Sequence, residues 1–281
     1  MSTMQGKVCL ITGGTNGIGK ITAQELARMG MTVVIVGRNA EKTAQVIQEI
    51  RAATGSQNVE SLLADLSSQQ DIRRLASDFK STYTRLDILL NNAGGVFAER
   101  QLSVDGIEMT FAVNHLAYFL LTNLLLDRLK ASAPSRIINV SSNAHTRASI
   151  DFDNLQGEKA YSFGAYGNSK LANILFTIEL ARRLEGTDVT VNALHPGFVN
   201  TGFGKNNGGL MFKLMGVLVP LIARSPEKGA ATSIYLASSP DAASVSGKYF
   251  VDSKVAAAAP QATDMTVATK LWDVSAAMVK L

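Results

Sequence analysis

The chain has 281 residues, 46% of them hydrophobic and 18% charged, with a net charge of +4. That composition buries a core and excludes a disordered chain, and its positive charges form no Lys/Arg run of the kind that binds nucleic acid. The single cysteine, Cys9, lies in the apolar run Val8-Cys9-Leu10-Ile11 and rules out an internal disulfide framework; with neither CxxC nor HExxH present, no metal site is expected.

The first residues lead straight into a strand-like run, so neither a signal peptide nor a membrane anchor is expected. From there short apolar, β-branched runs at 7–12, 32–36, 59–64, 86–90, 136–140, 189–194 and 248–251 read as strands. Most are continuously apolar, as strands buried on both faces of a parallel sheet are. Between them, residues 18–29, 40–53, 69–83, 106–130, 161–183 and 226–237 read as helices. The alternation predicts an α/β fold. It is a single-domain, Rossmann-type doubly wound parallel sheet of about seven strands, with helices on both faces and right-handed crossovers. The apolar stretch 210–223 contains Lys213 and Pro220 and is shorter than the roughly 20 residues that span a bilayer. No transmembrane segment is expected, and a soluble cytoplasmic protein is the default.

Each strand is followed by glycine or polar residues. Thr12-Gly13-Gly14-Thr15-Asn16-Gly17-Ile18-Gly19 follows the first, Gly37-Arg38-Asn39 the second and Asp65-Leu66 the third. Asn91-Asn92-Ala93-Gly94 follows the fourth, Ser141-Ser142 the fifth and Pro196-Gly197 the sixth. The carboxyl edge of an open α/β sheet is where ligands bind. Gly13, Gly17 and Gly19 permit a tight turn that brings a pyrophosphate to a helix N-terminus. Thr15, Asn16 and Ile18 complete that loop, although its GxxxGxG spacing differs from the GxGxxG fingerprint. An acid after the second strand would bind the ribose hydroxyls of NAD; Arg38, followed by Asn39, instead suits a 2′-phosphate, so NADP(H) is the expected cofactor. Asp65 and Leu66 are expected at the adenine, unless Asp65 caps the next helix. Asn92, Ala93 and Gly94 are expected under the adenosine ribose.

Tyr166 and Lys170 stand at i and i+4 of a predicted helix, which places a phenol beside an ammonium. A nearby positive charge is expected to lower the phenol pKa.

These residues resemble the short-chain dehydrogenase/reductase family. The resemblance rests on Thr12–Gly19, Asn91–Gly94, Asn114, the Ser141-Ser142 pair, Tyr166 with Lys170, and Pro196-Gly197 followed by Thr201. Within the family the chain looks most like the retinol-dehydrogenase-like branch, on strings such as Val113-Asn114-His115-Leu116 and Leu271-Trp272-Asp273-Val274-Ser275. The resemblance implies that Tyr166 exchanges the proton with the substrate oxygen and that Ser142 polarises the carbonyl. Lys170 would lower the Tyr166 pKa and hold the nicotinamide ribose, and Asn114 would bind a relay water. Pro196, Gly197, Val199 and Thr201 would hold the carboxamide. It also implies a possible homodimer or homotetramer.

Phe97, Phe163, Phe198, Phe203, Leu210, Phe212 and Met215 suggest an apolar carbonyl or alcohol substrate, with 202–224 as a substrate lid or a core-covering helix pair. Epimerase or lyase chemistry without net cofactor turnover, and a non-catalytic NADP(H) sensor, are the alternatives. His115, His145 and His195 read as packing or supporting residues, with no metal-ligand spacing.

Overall fold

The computed structural model of the protein describes residues 4–199 and 223–281. Eight strands form one sheet in the order β3-β2-β1-β4-β5-β6-β7-β8. They are β1 (Val8–Thr12), β2 (Thr32–Gly37), β3 (Val59–Leu63), β4 (Ile88–Asn91), β5 (Ser135–Val140), β6 (Val189–His195), β7 (Tyr249–Val251) and β8 (Lys254–Ala256). All neighbours are parallel except β7 and β8. The first seven strands match the expected ones. The eighth is an addition: Asp252 and Ser253 both adopt left-handed φ, of 49° and 61°, and fold the chain back in a two-residue hairpin.

The helices are α1 (Gly17–Arg28), α2 (Ala40–Thr54), α3 (Gln69–Thr82), α4 (Met109–Ala131), α5 (Gly164–Arg183), α6 (Pro226–Ser238) and α7 (Met265–Met278). Local chemistry sets their starts. Asn39, Ser68, Ser225 and Asp264 each accept a hydrogen bond from a first-turn N–H, and Pro226 stands at the first position of α6. Strand residues alternate between two cores. Cys9, Ile11, Val33 and Ile35 pack with α1, α2 and α6; Leu10, Val34, Leu89 and Ile137 pack with α3, α4, α5 and α7.

α4 is interrupted by a π-turn at Ala112–Leu116. It is also, among the described residues, the one helix long and apolar enough to cross a membrane, with a mean hydropathy of 1.4. Most of it is buried against the sheet, as expected of a core helix. Beneath α4 and α5 runs a polar ladder: Asn91 donates to Thr122 and Asn139, Asn139 donates to Thr177, and Thr177 donates to the Asn173 carbonyl. It ties β4 and β5 to both helices just below the carboxyl edge of the sheet.

Candidate active site

The turns after β1 and β4 are stitched together. The backbone N–H groups of Asn92 and Ala93 donate to Thr12 Oγ1 at 2.9 and 3.1 Å, and Asn92 Nδ2 donates to the carbonyls of Thr12 and Gly13 at 2.9 and 3.2 Å. Gly13 has φ +67°, and a Cβ there would lie 2.9 Å from Ala93 Cα. α1 starts one step further on, with Asn16 accepting from the Gly17 N–H at 2.8 Å. Its first turn holds no acid, whereas α2 and α3 carry Glu41 and Asp71 there. A helix N-terminus left without a negative side chain, behind a turn with no space for a Cβ, fits the pyrophosphate of a dinucleotide.

At the end of β2, Gly37 packs on Thr15 and Thr43. Arg38 is exposed, and among the described residues no carboxylate pairs with it. Asn39, expected at the cofactor, spends its Oδ1 on capping α2 through the Lys42 N–H at 2.8 Å. Ser68 and not Asp65 caps α3. Asp65 Oδ1 accepts from the Ser67 N–H at 2.9 Å and the Ser67 hydroxyl at 2.8 Å, while the Asp65 N–H donates to Asp71. Leu66 is partly buried against the core. Ile18 and Val199 converge on Gly229 of α6, and Gly197, at φ +86°, lies against the Arg224 side chain. The Arg224 N–H donates to the Phe198 carbonyl at 2.7 Å, and its guanidinium pairs with Asp252. Thr201, Phe203, Leu210, Phe212, Met215 and nearly all of the 202–224 segment lie outside the described residues.

Tyr166 sits in the first turn of α5, and Ser142 hydrogen-bonds its phenol. Ser142 also accepts from the Ala144 N–H at 3.2 Å, which fixes its hydroxyl at the strand end. Ser141 points the other way and donates to the Lys170 carbonyl at 2.7 Å. The buried Lys170 Nζ donates to the Val140 carbonyl at 3.0 Å and lies 5.7 Å from the centroids of both the Tyr166 and Tyr118 rings. Burial pulls the Lys170 amine down to about 7. Burial also pushes the Tyr166 phenol up to about 12, against the opposing effect of the Ser142 hydrogen bond. This corrects the expectation of a lowered phenol pKa. Desolvation outweighs an ammonium that is held on the Val140 carbonyl and has itself been brought close to its titration point.

Asn114, in the π-turn, is wholly buried. Its Oδ1 accepts from the Gly95 N–H at 2.8 Å, and its Nδ2 donates to the Gly95 carbonyl at 2.9 Å and to Ser169 Oγ at 3.0 Å. Its amide therefore pins the Gly94-Gly95 segment beside Lys170. A Cβ on Gly94 would lie 3.1 Å from Asn114 Oδ1 and 3.5 Å from Lys170 Nζ. His145 lies with Nδ1 2.7 Å from the Ser142 carbonyl and accepts at Nε2 from the Ala259 N–H. His195 accepts from the Asn143 N–H at 3.2 Å. His115 lies on Ser275 and Asn173. His145 and His195 thus hold the backbone around Ser142, and His115 lies beside Asn173, which donates to the Val140 carbonyl. Among the described residues no cluster of three His, Cys, Asp or Glu is placed to hold a metal. The Tyr161 hydroxyl lies 2.9 Å from the Phe97 carbonyl, 3.0 Å from Thr110 and 3.2 Å from Glu108, fastening two loops together. Phe163 and Phe198 are exposed.

The family model described as short chain dehydrogenase matches residues 7–208 of this chain. The chain belongs to the short-chain dehydrogenase family. Human retinol dehydrogenase 13 is 48% identical over 100% of this chain and 86% of its own length. Human retinol dehydrogenase 14 is 47% identical over 99% and 88%. These relatives place the chain in the retinol-dehydrogenase-like branch. Among solved structures, one from Mycobacterium paratuberculosis aligns over 100% of this chain and 96% of its own, with 31% identity and a TM-score of 0.81. The Pseudomonas aeruginosa RhlG/NADP active-site complex aligns over 88% and 95%, with 31% identity and a TM-score of 0.71. This short-chain dehydrogenase is accordingly an oxidoreductase of alcohol and carbonyl groups that uses a nicotinamide cofactor and a small-molecule substrate.

Of the expected site residues in this short-chain dehydrogenase, the structure gathers Asn114, Ser142, Tyr166 and Lys170 at the carboxyl ends of β4 and β5. Asn39 and Asp65 have local structural partners. Three residues escaped the reading of the sequence. Thr12 was in view within its motif, yet its hydroxyl as the hub of two turns was not legible there. Ser169 stands inside the Tyr166–Lys170 motif, but its bond to Asn114 is not legible there, and Tyr118 carries no motif of its own.

Proposed function

We propose that this chain is an NADP(H)-dependent oxidoreductase that interconverts an apolar aldehyde or ketone and its alcohol, of the retinal/retinol, long-chain or aromatic kind, with Tyr166 as general acid and base. The observation that carries the reading is the Ser142 hydroxyl hydrogen-bonded to the Tyr166 phenol, with Lys170 Nζ 5.7 Å from the same ring. Gly13, Gly17 and the N-terminus of α1 would hold the pyrophosphate. The exposed Arg38 would hold the 2′-phosphate, Lys170 the nicotinamide ribose, and Pro196, Gly197 and Val199 the carboxamide. The similar Pseudomonas aeruginosa structure is a complex with NADP, which adds support. Bound NADPH supplies the hydride, and NADP⁺ accepts it in the other direction.

The chain's own residues handle the oxygen and its proton. The substrate oxygen lies between the Ser142 and Tyr166 hydroxyls. Ser142 donates to it and polarises the carbonyl. As negative charge develops there, Tyr166 transfers its phenolic proton to the oxygen, leaving a phenolate that Ser142 and the Lys170 ammonium stabilise. In alcohol oxidation Tyr166 takes the proton back. A phenol near 12 holds its proton firmly at neutral pH, and an ammonium near 7 is the stronger acid of the two, so Lys170 is suited to returning a proton to Tyr166 after each reduction. Phe97, Phe163 and Phe198 give the substrate apolar surroundings.

A panel of retinal, long-chain and aromatic aldehydes and ketones with NADPH and NADH, followed at the nicotinamide absorbance, tests the reading. NADPH should have the lower KM, and Tyr166→Phe should keep NADPH binding while losing nearly all turnover. Equal KM values would remove the cofactor assignment, and an active Tyr166→Phe enzyme would remove the acid/base assignment.

A further inference from the structure

Lys170 presents an unusual problem. Its ammonium is buried, the residue being 3% exposed, and among the described residues no carboxylate forms an ion pair with it. The groups around it come from four elements. β5 offers the Val140 carbonyl at 3.0 Å, the turn after β4 offers the backbone of Gly94, α5 offers the Tyr166 ring, and α4 offers the Tyr118 ring. The titratable groups facing it are thus the two tyrosines, both at 5.7 Å from ring centroid to Nζ. That is within the roughly 6 Å over which a ring face attracts a cation. Tyr118 is 1% exposed, and its hydroxyl donates to the Ala93 carbonyl at 2.8 Å. Ala93 in turn donates to Thr12 Oγ1 and fills the space beneath Gly13. The phenol of Tyr118 therefore faces the turns assigned to the cofactor, while its ring faces the amine.

We infer that Tyr118 is a positioning residue of the reaction: its ring face holds the Lys170 ammonium in place of a counterion, and its hydroxyl locks that ring to the Asn92–Gly94 turn. The inference rests on the proposed acid/base role of Tyr166 and Lys170. The two halves of the side chain have separable consequences. The ring keeps Lys170 charged beside Tyr166 and so favours the phenolate needed for alcohol oxidation. The hydroxyl keeps the Ala93 carbonyl satisfied and so acts on the cofactor turn.

The test replaces Tyr118 by Phe and then by phenylalanines carrying one, two and three ring fluorines, a series that keeps the ring's shape while draining the negative charge from its face. The readout is the acid limb of the pH profile of kcat/KM for alcohol oxidation, together with NADPH affinity. Tyr118→Phe should weaken NADPH binding severalfold and leave the acid limb within about 0.2 of the parent, because the face remains. Each fluorine should then move the limb upward, reaching about one pH unit at three fluorines. Tyr118→Leu should match or exceed that shift. A limb that stays put across the fluorine series in folded enzyme overturns the inference. Tyr166→Phe, assayed alongside, separates the two claims. If it stays active, the acid/base reading fails; if it is inactive and the fluorine series is flat, only the role of Tyr118 fails.

Discussion

Gly19→Ala tests how the nucleotide cradle is built. Gly19 is in the first turn of α1, and an added Cβ would fall on the Gly13 carbonyl oxygen, 3.0 Å from its carbon and 2.6 Å from Asn92 Nδ2. Ordinary contact begins near 3.4 Å, so against Asn92 alone the helix must retreat by about 0.8 Å. Its neighbours cannot yield instead: Gly13 abuts Ala93, and Asn92 holds the Thr12 and Gly13 carbonyls. Alanine should gain about 1 kcal/mol of helix propensity. Overpacking should cost about 1–3 kcal/mol and a lost Asn92 hydrogen bond about 1 kcal/mol. The net loss of about 1–3 kcal/mol lowers Tm by several degrees in a domain of this size. Cofactor affinity should suffer more, because the N–H groups of α1 are moved by a large part of an ångström from where an anion meets them. We expect a tenfold or larger rise in the Kd for NADPH, read by titration calorimetry beside a thermal scan. A folded variant with its Kd within twofold of the parent would refute the account of the cradle.

Arg38→Asp should raise the KM for NADPH and lower that for NADH, moving their ratio by at least tenfold; steady-state kinetics with both cofactors check it. His115 is held near 4 by burial, below its usual value near 6.5, so the unfolded chain binds more protons between those limits. Its contribution is therefore intact above about pH 6.5 and is lost as pH falls towards 4. Relative to His115→Gln, the parent should lose about 2 kcal/mol more stability between pH 7 and pH 5; parallel urea-unfolding curves for the two would contradict this. Asn139→Ala should cost about 2–3 kcal/mol, because it strips partners from Asn91 and Thr177 inside the core. Chemical denaturation measures it, and a loss below about 0.5 kcal/mol would show the ladder to be dispensable.

The strands of the parallel sheet were legible because burial on both faces leaves continuous apolar runs, as in Val33 to Val36. The candidate site was legible in outline because glycine and polar residues follow the strands and because Tyr166 and Lys170 stand one turn apart on a helix. β8 was not. It is three residues long, and its turn places Asp252 and Ser253 at left-handed φ without the glycine that usually signals such a turn. α7 did leave a signal: Asp264 as cap, followed by apolar residues at Val267, Ala268, Leu271 and Trp272. The pKa of Tyr166 was out of reach, since spacing reports a neighbouring amine but not the depth at which the two groups are buried. The same limit applies to Asn39 and Asp65. Both residue types suit a nucleotide and a helix start equally, and only the folded chain decides which partners they take.

The π-turn gives α4 two phases. One extra residue between Ala112 and Leu116 sets everything after it about 100° around the helix axis from where an uninterrupted helix would place it. Glu108 and Thr110, which fasten the Tyr161 loop, lie before the insertion; Tyr118, which faces Lys170, lies after it. The Tyr161 clamp and the lysine cradle are thus set by two registers of a single rod. Deleting Ala112 should close the π-turn into a regular helix and leave Tyr118 facing Lys170, because the residues after the turn already stand where those of a helix one residue shorter would. At this helix the π-turn lets the chain carry one residue more than a regular helix would while the faces on either side keep their aim, so a change of length is tolerated where a rotation of the rod would not be.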